Sequence, residues 1–197
     1  MEKRRKYIRL YGYDYSKNGA YFLTLCTYDR QKLFGEEVIT PNSWYKESGS
    51  MQYGEISDSP VGATPCGRPN TVSMIEKWIH KIPEKFQNVV IDYYAIMPDH
   101  VHLVLFILND WDDHMGSPLQ GNLKNKGKHT VSDVMDWFKT MTTNEYINLV
   151  KQNVLPPFHK HVWQRNYIDR VIRSRDELYE IRKYIKQNPV KMMYEMD

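Results

Sequence analysis

The chain has 197 residues, of which 41% are hydrophobic and 26% charged, a size and composition that suit one globular domain with a real core. The apolar run Leu103 to Leu108 is too short to span a membrane, and the basic start Met1 to Lys6 is followed by no signal-peptide core. Cys26 and Cys66 stand in no metal or redox spacing, so a reduced, cytoplasmic protein is expected.

The formal charge of +3 is unevenly spread. Residues 1–32 hold eight Lys/Arg against three Asp/Glu, residues 33–120 five against twelve, and residues 121–197 fourteen against nine. The two basic ends are also rich in aromatics, as in Lys6-Tyr7-Ile8-Arg9-Leu10-Tyr11 and Trp163-Gln164-Arg165-Asn166-Tyr167. Cations meet phosphates and rings stack on unpaired bases, so the pattern points towards nucleic acid.

In chain order, Tyr21 to Thr27 reads as the first strand, after the turn signal Asn18-Gly19. Residues 41–70, dense in Ser, Gly and Pro, read as a loop-rich insertion with at most a short hairpin, within one domain covering residues 1–197. Ile75, Trp78, Ile79, Ile82 and Phe86 recur at helical spacing and predict a helix from Thr71 to Phe86. Val89 to Met97 is the next strand; Pro98-Asp99 then turns the chain into another, and the two form a hairpin at the centre of the sheet.

Residues 109–129 are polar and read as a loop. Thr130 with Asp133 starts a long helix whose stripe is Val131, Val134, Phe138, Met141 and Leu149. Residues 153–172 form a connector ending in an edge strand, Tyr167 to Ile172; Trp163 and Tyr167 are candidates for stacking on bases, with core packing the preferred reading. Ser174 and Glu177 make a capping box for the last helix, Leu178, Ile181 and Ile185 its stripe, and Pro189 its end. The order β–α–β–β–α–β then helix predicts an α+β, ferredoxin-like (RRM-like) antiparallel sheet with helices on one face and an extra C-terminal helix.

The chemistry concentrates in Met97-Pro98-Asp99-His100-Val101-His102. On a strand, His100 and His102 share a face while Val101, Leu103 and Leu105 take the other. Their Cα atoms then lie roughly 6.5–7 Å apart, close enough for two imidazoles to converge on one ion. His159 and His161 repeat the spacing, but no strand pattern accompanies them and they read as connector residues. On the last helix, Tyr184 and Asn188 are one turn apart on one face. A phenol is a potential nucleophile and an amide oxygen a potential third ligand, although a single helical tyrosine is more often a packing residue.

Five stretches, in this order, carry a family resemblance: Arg9 to Tyr15, Gly19 to Thr24, Met97 to His102, Val162 to Tyr167, and Tyr184-Ile185-Lys186-Gln187-Asn188-Pro189. Together they resemble the REP-associated tyrosine transposases, relatives of the IS200/IS605 Y1 transposases in the HUH superfamily. The resemblance implies that His100 and His102 are metal ligands, Tyr184 the nucleophile on the last helix, and Asn188 the residue completing the metal site. The IS200/IS605 branch has glutamine at that position, so asparagine points to the REP-associated branch. Residues 41–70 and 109–129 match nothing in the family.

The resemblance further implies a DNA transposase that cleaves and rejoins single-stranded DNA carrying a hairpin, through a 5′-phosphotyrosine, with Mg²⁺ or Mn²⁺. Such an enzyme acts as a monomer or a homodimer and has no membrane partner. Arg165, Arg170, Arg173 and Lys186 are candidates for holding the DNA backbone. Two other classes remain open: a non-catalytic DNA-binding protein of the same fold, and a metal-dependent phosphodiester hydrolase. A histidine-triad hydrolase would want a third histidine where Val104 stands.

Overall fold

Strands β1 (Gly19–Cys26), β2 (Ile39–Ser43), β3 (Val89–Met97), β4 (His100–Ile107) and β5 (Ile168–Ile172) form one antiparallel sheet in the order β2-β3-β4-β1-β5. Helix α1 (Thr71–Lys85) precedes β3, α2 (Val131–Lys151) joins β4 to β5, and α3 (Arg175–Tyr194) closes the order. The structure is a computed structural model that describes residues 10, 12–35, 39–43, 71–108 and 129–194. Without β2, the order β3-β4-β1-β5 with α1 and α2 between strands is the expected ferredoxin-like arrangement. Among the described residues, no helix is long and apolar enough to cross a membrane.

One face of the sheet carries the large core. Tyr21, Leu23 and Leu25 of β1 and Val101, Leu103, Leu105 and Ile107 of β4 pack there against Ile75, Ile79 and Ile82 of α1 and Val134 and Phe138 of α2. The stripe predicted for α1 is buried along its length, from Ile75 to Phe86. Thr130 caps α2 as foreseen: its hydroxyl accepts from the Asp133 N–H, and the Asp133 carboxylate accepts from the Thr130 N–H. Trp163 and Tyr167 are buried in this core, and the Trp163 indole donates to Thr142 Oγ1 at 2.9 Å.

Three expectations need correction. Ile39–Ser43 is a fifth strand at the edge, pairing Ile39 with Ile96 and Ser43 with Tyr93 across an irregular register. Thr40-Pro41-Asn42 has no strand-like pattern, but an edge strand needs backbone pairing on one side only and so accommodates a proline. The remainder of the insertion, residues 44–70, and residues 109–128 lie outside the described residues. Pro189 also does not end α3, which runs on to Tyr194. A proline withholds a single N–H from the helical ladder, which a helix can survive without terminating. At its start, Ser174 Oγ accepts from the Glu177 N–H at 3.1 Å as foreseen. The Glu177 carboxylate instead accepts from the Arg173 N–H at 2.8 Å, rather than from Ser174 as a capping box would have it.

The other face is covered by α3, and among the described side chains its apolar contact is small. Ile181 and Ile185 meet Ala20, Tyr93, Ala95, Val104 and Ile172, flanked by Phe22, Phe106 and Leu178. A bulge in β3 adds a polar anchor. Ile91 pairs with Leu105 and Tyr93 with Val104, leaving Asp92 as the extra residue. Core-facing residues are odd-numbered before the bulge (Val89, Ile91) and even-numbered after it (Tyr94, Ile96). Asp92 is fully buried, and Arg182 of α3 donates to it through Nε at 2.8 Å and also through Nη2. This two-pronged pair fixes both the position and the rotation of α3 on the sheet.

Truncating one partner of such a pair strands the other's charge, so Asp92→Ala should lower unfolding free energy by about 3 kcal/mol in a denaturant titration. An Asp92→Leu/Arg182→Met double variant should recover most of that loss, because it leaves no uncompensated charge.

Candidate functional site

The site begins with the pairing of β4 against β1. His102 lies opposite Thr24 and His100 opposite Cys26, while Val101, Leu103 and Leu105 point into the core. The sheet therefore brings both imidazoles to the α3 face, where they are 9% and 4% exposed. Each ring is held at Nδ1: Asp99 Oδ1 lies 2.5 Å from His100 Nδ1, and Thr24 Oγ1 lies 2.9 Å from His102 Nδ1. With those nitrogens engaged, the two Nε2 atoms face one another at 3.2 Å.

α3 brings the remaining two groups. Asn188 Nδ2 lies 2.8 Å from His102 Nε2, and rotating the amide half a turn would offer Oδ1 at the same place. The Tyr184 ring stands edge-on to His102, 5.5 Å between centroids, and to Phe22 at 6.2 Å. Unlike the histidines, Tyr184 is 46% exposed. All four residues singled out for catalysis and metal binding thus meet at one place.

Burial dominates the electrostatics. It holds His100 below the ordinary histidine range against the opposing pull of Asp99. Burial, then the neighbouring His100 and Arg30, push His102 down to about 3. Both rings are therefore neutral near pH 7, the form in which imidazole binds metals. If His100 gives its Nδ1 proton to Asp99, its Nε2 is a bare lone pair aimed at His102 Nε2. The His102 atom in turn already faces the Asn188 amide. Both rings can thus offer Nε2 lone pairs at one point beside the Asn188 amide, an arrangement open to a cation.

The donor set fits a divalent cation on this chemistry. Among the described residues, no three His, Cys, Asp or Glu side chains converge as a cage. Two imidazoles with an amide form an incomplete set, suited to an ion that keeps water or phosphate oxygens, as Mg²⁺ and Mn²⁺ do.

The four basic residues singled out for DNA are all exposed. Arg170 is exposed on β5, opposite Phe22, and donates to Glu177 Oε1 at 2.7 Å. The exposed Arg173 gives its backbone N–H to the same carboxylate, and these two partners hold Glu177 below the usual carboxylate range. Arg165 is exposed in the connector, and its carbonyl accepts from Lys139 Nζ at 3.0 Å. Lys186 is exposed on α3.

Three neighbours escaped sequence reasoning. Asp99 reads as a turn residue, yet its place directly before His100 was the available signal. Thr24 is visible only once the β1–β4 register is known. Arg30 is distant in sequence, yet its Nη1 donates to Asp99 Oδ2 at 3.2 Å and lies 3.4 Å from His100 Nδ1. Since Asp99 already holds that nitrogen, the Arg30 contact to the ring is proximity alone.

No protein-family model matches the chain. A protein of Haemophilus influenzae, described as uncharacterized, is 27% identical over 197 residues, covering 98% of this chain and 91% of its own length. Among solved structures, a REP-associated tyrosine transposase bound to a REP hairpin superposes with a TM-score of 0.52 over 98% of this chain and 74% of its own, at 16% identity. This chain has that fold, which agrees with the resemblance carried by its motifs.

Cation binding should follow the geometry. Calorimetric titration of the full chain with Mn²⁺ should show binding that His100→Ala or His102→Ala abolishes and Tyr184→Phe leaves in place. Asp99→Ala and Thr24→Val, which free the rings, should each weaken it by about 10–100-fold.

Proposed function

We propose that this protein is a transposase of the REP-associated tyrosine kind, which cuts and rejoins single-stranded DNA through a covalent tyrosine intermediate. One observation carries the reading: Tyr184 meets His102 on the sheet face where His100 and Asn188 also converge. A phosphodiester enzyme needs an accessible nucleophile beside a site that can lower the charge on phosphate. The solved neighbour of the same fold is bound to a REP hairpin, which supports hairpin-bearing DNA as the substrate here.

A divalent cation, Mg²⁺ or Mn²⁺, held by His100, His102 and Asn188, would polarise a non-bridging phosphate oxygen, a contribution of several kcal/mol. Asp99 and Thr24 keep the two rings turned towards that position. The Tyr184 phenol attacks phosphorus and loses its proton to solvent, which reaches the half-exposed ring. As the tyrosine–phosphorus bond forms, the bond from phosphorus to the 3′ oxygen breaks, and that oxygen leaves protonated as a 3′-hydroxyl. The 5′-phosphate stays on Tyr184, the polarity that the family resemblance implies. A 3′-hydroxyl of another strand then attacks the phosphotyrosine and returns the phenol, so rejoining consumes no nucleotide.

The reading predicts a trapped intermediate. A labelled single-stranded oligonucleotide with a hairpin, incubated with protein and Mg²⁺ or Mn²⁺, should give a denaturant-resistant adduct mapping to Tyr184. Tyr184→Phe and a His100→Ala/His102→Ala double variant should give none. Fully paired duplex should react far less than the single strand. An adduct on Tyr167 or Tyr179 would keep the enzyme class and move the nucleophile. Cleavage with no adduct at any time would mark a metal-dependent nuclease instead.

A further inference from the structure

Beside His100, the loop after β1 and the connector before β5 make a surface that neither the core nor the chemistry above uses. Non-glycine backbone is left-handed at Asp29 (φ 53°), Arg30 (φ 56°) and Lys160 (φ 58°), three of the four such residues described. Left-handed backbone is unfavourable for side-chain-bearing residues and persists only where the surroundings enforce it. Here they do. The Tyr28 N–H donates to the Val162 carbonyl at 3.0 Å, and the Gln164 N–H to the Cys26 carbonyl at 2.9 Å. The His159 N–H donates to Gln31 Oε1 at 2.8 Å, while Gln31 Nε2 returns to the His159 carbonyl at 3.1 Å. The Thr27 N–H donates to the Asp99 carbonyl at 2.9 Å, tying the same surface to the turn that carries His100.

The side chains displayed there are rings and cations. The Tyr28 ring has His161 at 5.3 Å and His159 at 6.1 Å between centroids, with Lys160 Nζ 5.9 Å from its centre. His159 and Arg30 have side chains 63% and 53% exposed. Two acids lie among them, Asp29 at 3.9 Å from His159, and Asp99, which Arg30 caps. None of Tyr28, Arg30, His159, Lys160 or His161 is buried, so packing does not account for the cluster. Arg30 is its inner end, against His100.

We propose that this surface is a track for the single DNA strand on one side of the scissile phosphate. Tyr28, His159 and His161 offer ring faces to unpaired bases, while Lys160 and Arg30 meet successive phosphates. Arg30 grips the phosphate next to the one that reacts. Rings at this spacing can engage only bases that are out of a duplex stack, which commits the occupant to single-stranded DNA. The inference rests on the transposase reading for its substrate and adds to it the place where the strand lies.

The test separates stacking from charge. In the Tyr184→Phe chain, which makes no covalent link, binding of a short fluorescent oligothymidylate is compared with that of an abasic oligomer of equal length. The parent should prefer the thymidylate by about tenfold. Tyr28→Leu with His161→Ala should remove most of that preference and keep the salt dependence. Arg30→Asn with Lys160→Asn should lower the log–log salt slope by about 1.4 and keep the preference for bases. Asparagine tolerates the left-handed backbone at both positions, so the fold is spared. Should Tyr28→Leu fail to fold, His159→Ala/His161→Ala, which alters exposed side chains only, asks the same question. Variants that bind both oligomers as the parent does would overturn the track, and so would a parent indifferent to bases. Adduct formation by the unmodified chain reports separately on the transposase reading.

Discussion

The register of β4 is the constraint on which the rest depends. This strand lies inside the sheet, between β3 and β1, so both of its backbone edges are paired. Val101, Leu103, Leu105 and Ile107 must enter the large core, and alternation then leaves His100 and His102 on the opposite face. A slip of one residue would put two imidazoles among Ile79, Ile82 and Phe138 and expose four aliphatic side chains to the thinner side. The hydrophobic demand of one face thus sets the geometry of the other. It also selects Thr24 as the partner of His102, because that pairing follows from the same register.

The two faces differ in how strongly they are held. α1 and α2 bury long aliphatic and aromatic rows, whereas among the described side chains of α3 the buried ones are Ile181 and Ile185, set on Ala20, Tyr93, Ala95, Val104 and Ile172. Small residues under a helix allow close approach but resist sliding or rolling poorly. The Asp92–Arg182 pair supplies direction where apolar contact does not. Ile181, Tyr184, Ile185 and Asn188 lie along one side of α3, so the apolar anchors share a stripe with the phenol and the amide. Any rotation of the helix that loosened the anchors would displace the phenol and the amide by the same angle.

Much of this was legible beforehand because it follows from periodicity. The alternation through His100 to Leu105, the helical stripe from Ile75 to Phe86, and the Thr130 and Ser174 starts all depend on near neighbours in sequence. The misses share a different cause. β2 exists because β3 had an open edge, a fact about a strand some fifty residues downstream, and nothing in Thr40-Pro41-Asn42 signals it. The phase of β3 breaks at Asp92, inside a run apolar on both sides, where alternation carries little information. Asp92 draws its partner Arg182 from ninety residues further along the chain, which near neighbours in sequence do not show. Thr24 and Arg30 became visible only through pairings that close loops of about seventy residues or more.

The same long-range pairing explains how buried and exposed chemistry coexist within a few ångströms. Imidazoles that hold a cation need fixed, neutral rings, and the sheet interior provides both by burial and by bonds at Nδ1. A nucleophile that attacks a polymer has the opposite need, since the strand must reach it from solvent. In the reaction proposed above, Tyr184 would meet that need from a helix laid over the sheet, its ring packed against His102 and nearly half its surface open. Placing the two imidazoles on a central strand and the phenol on a covering helix gives burial to the first and exposure to the second. The meeting of His100, His102 and Asn188 then lies beside the Tyr184 ring, while the burial that keeps the imidazoles neutral stops short of Tyr184.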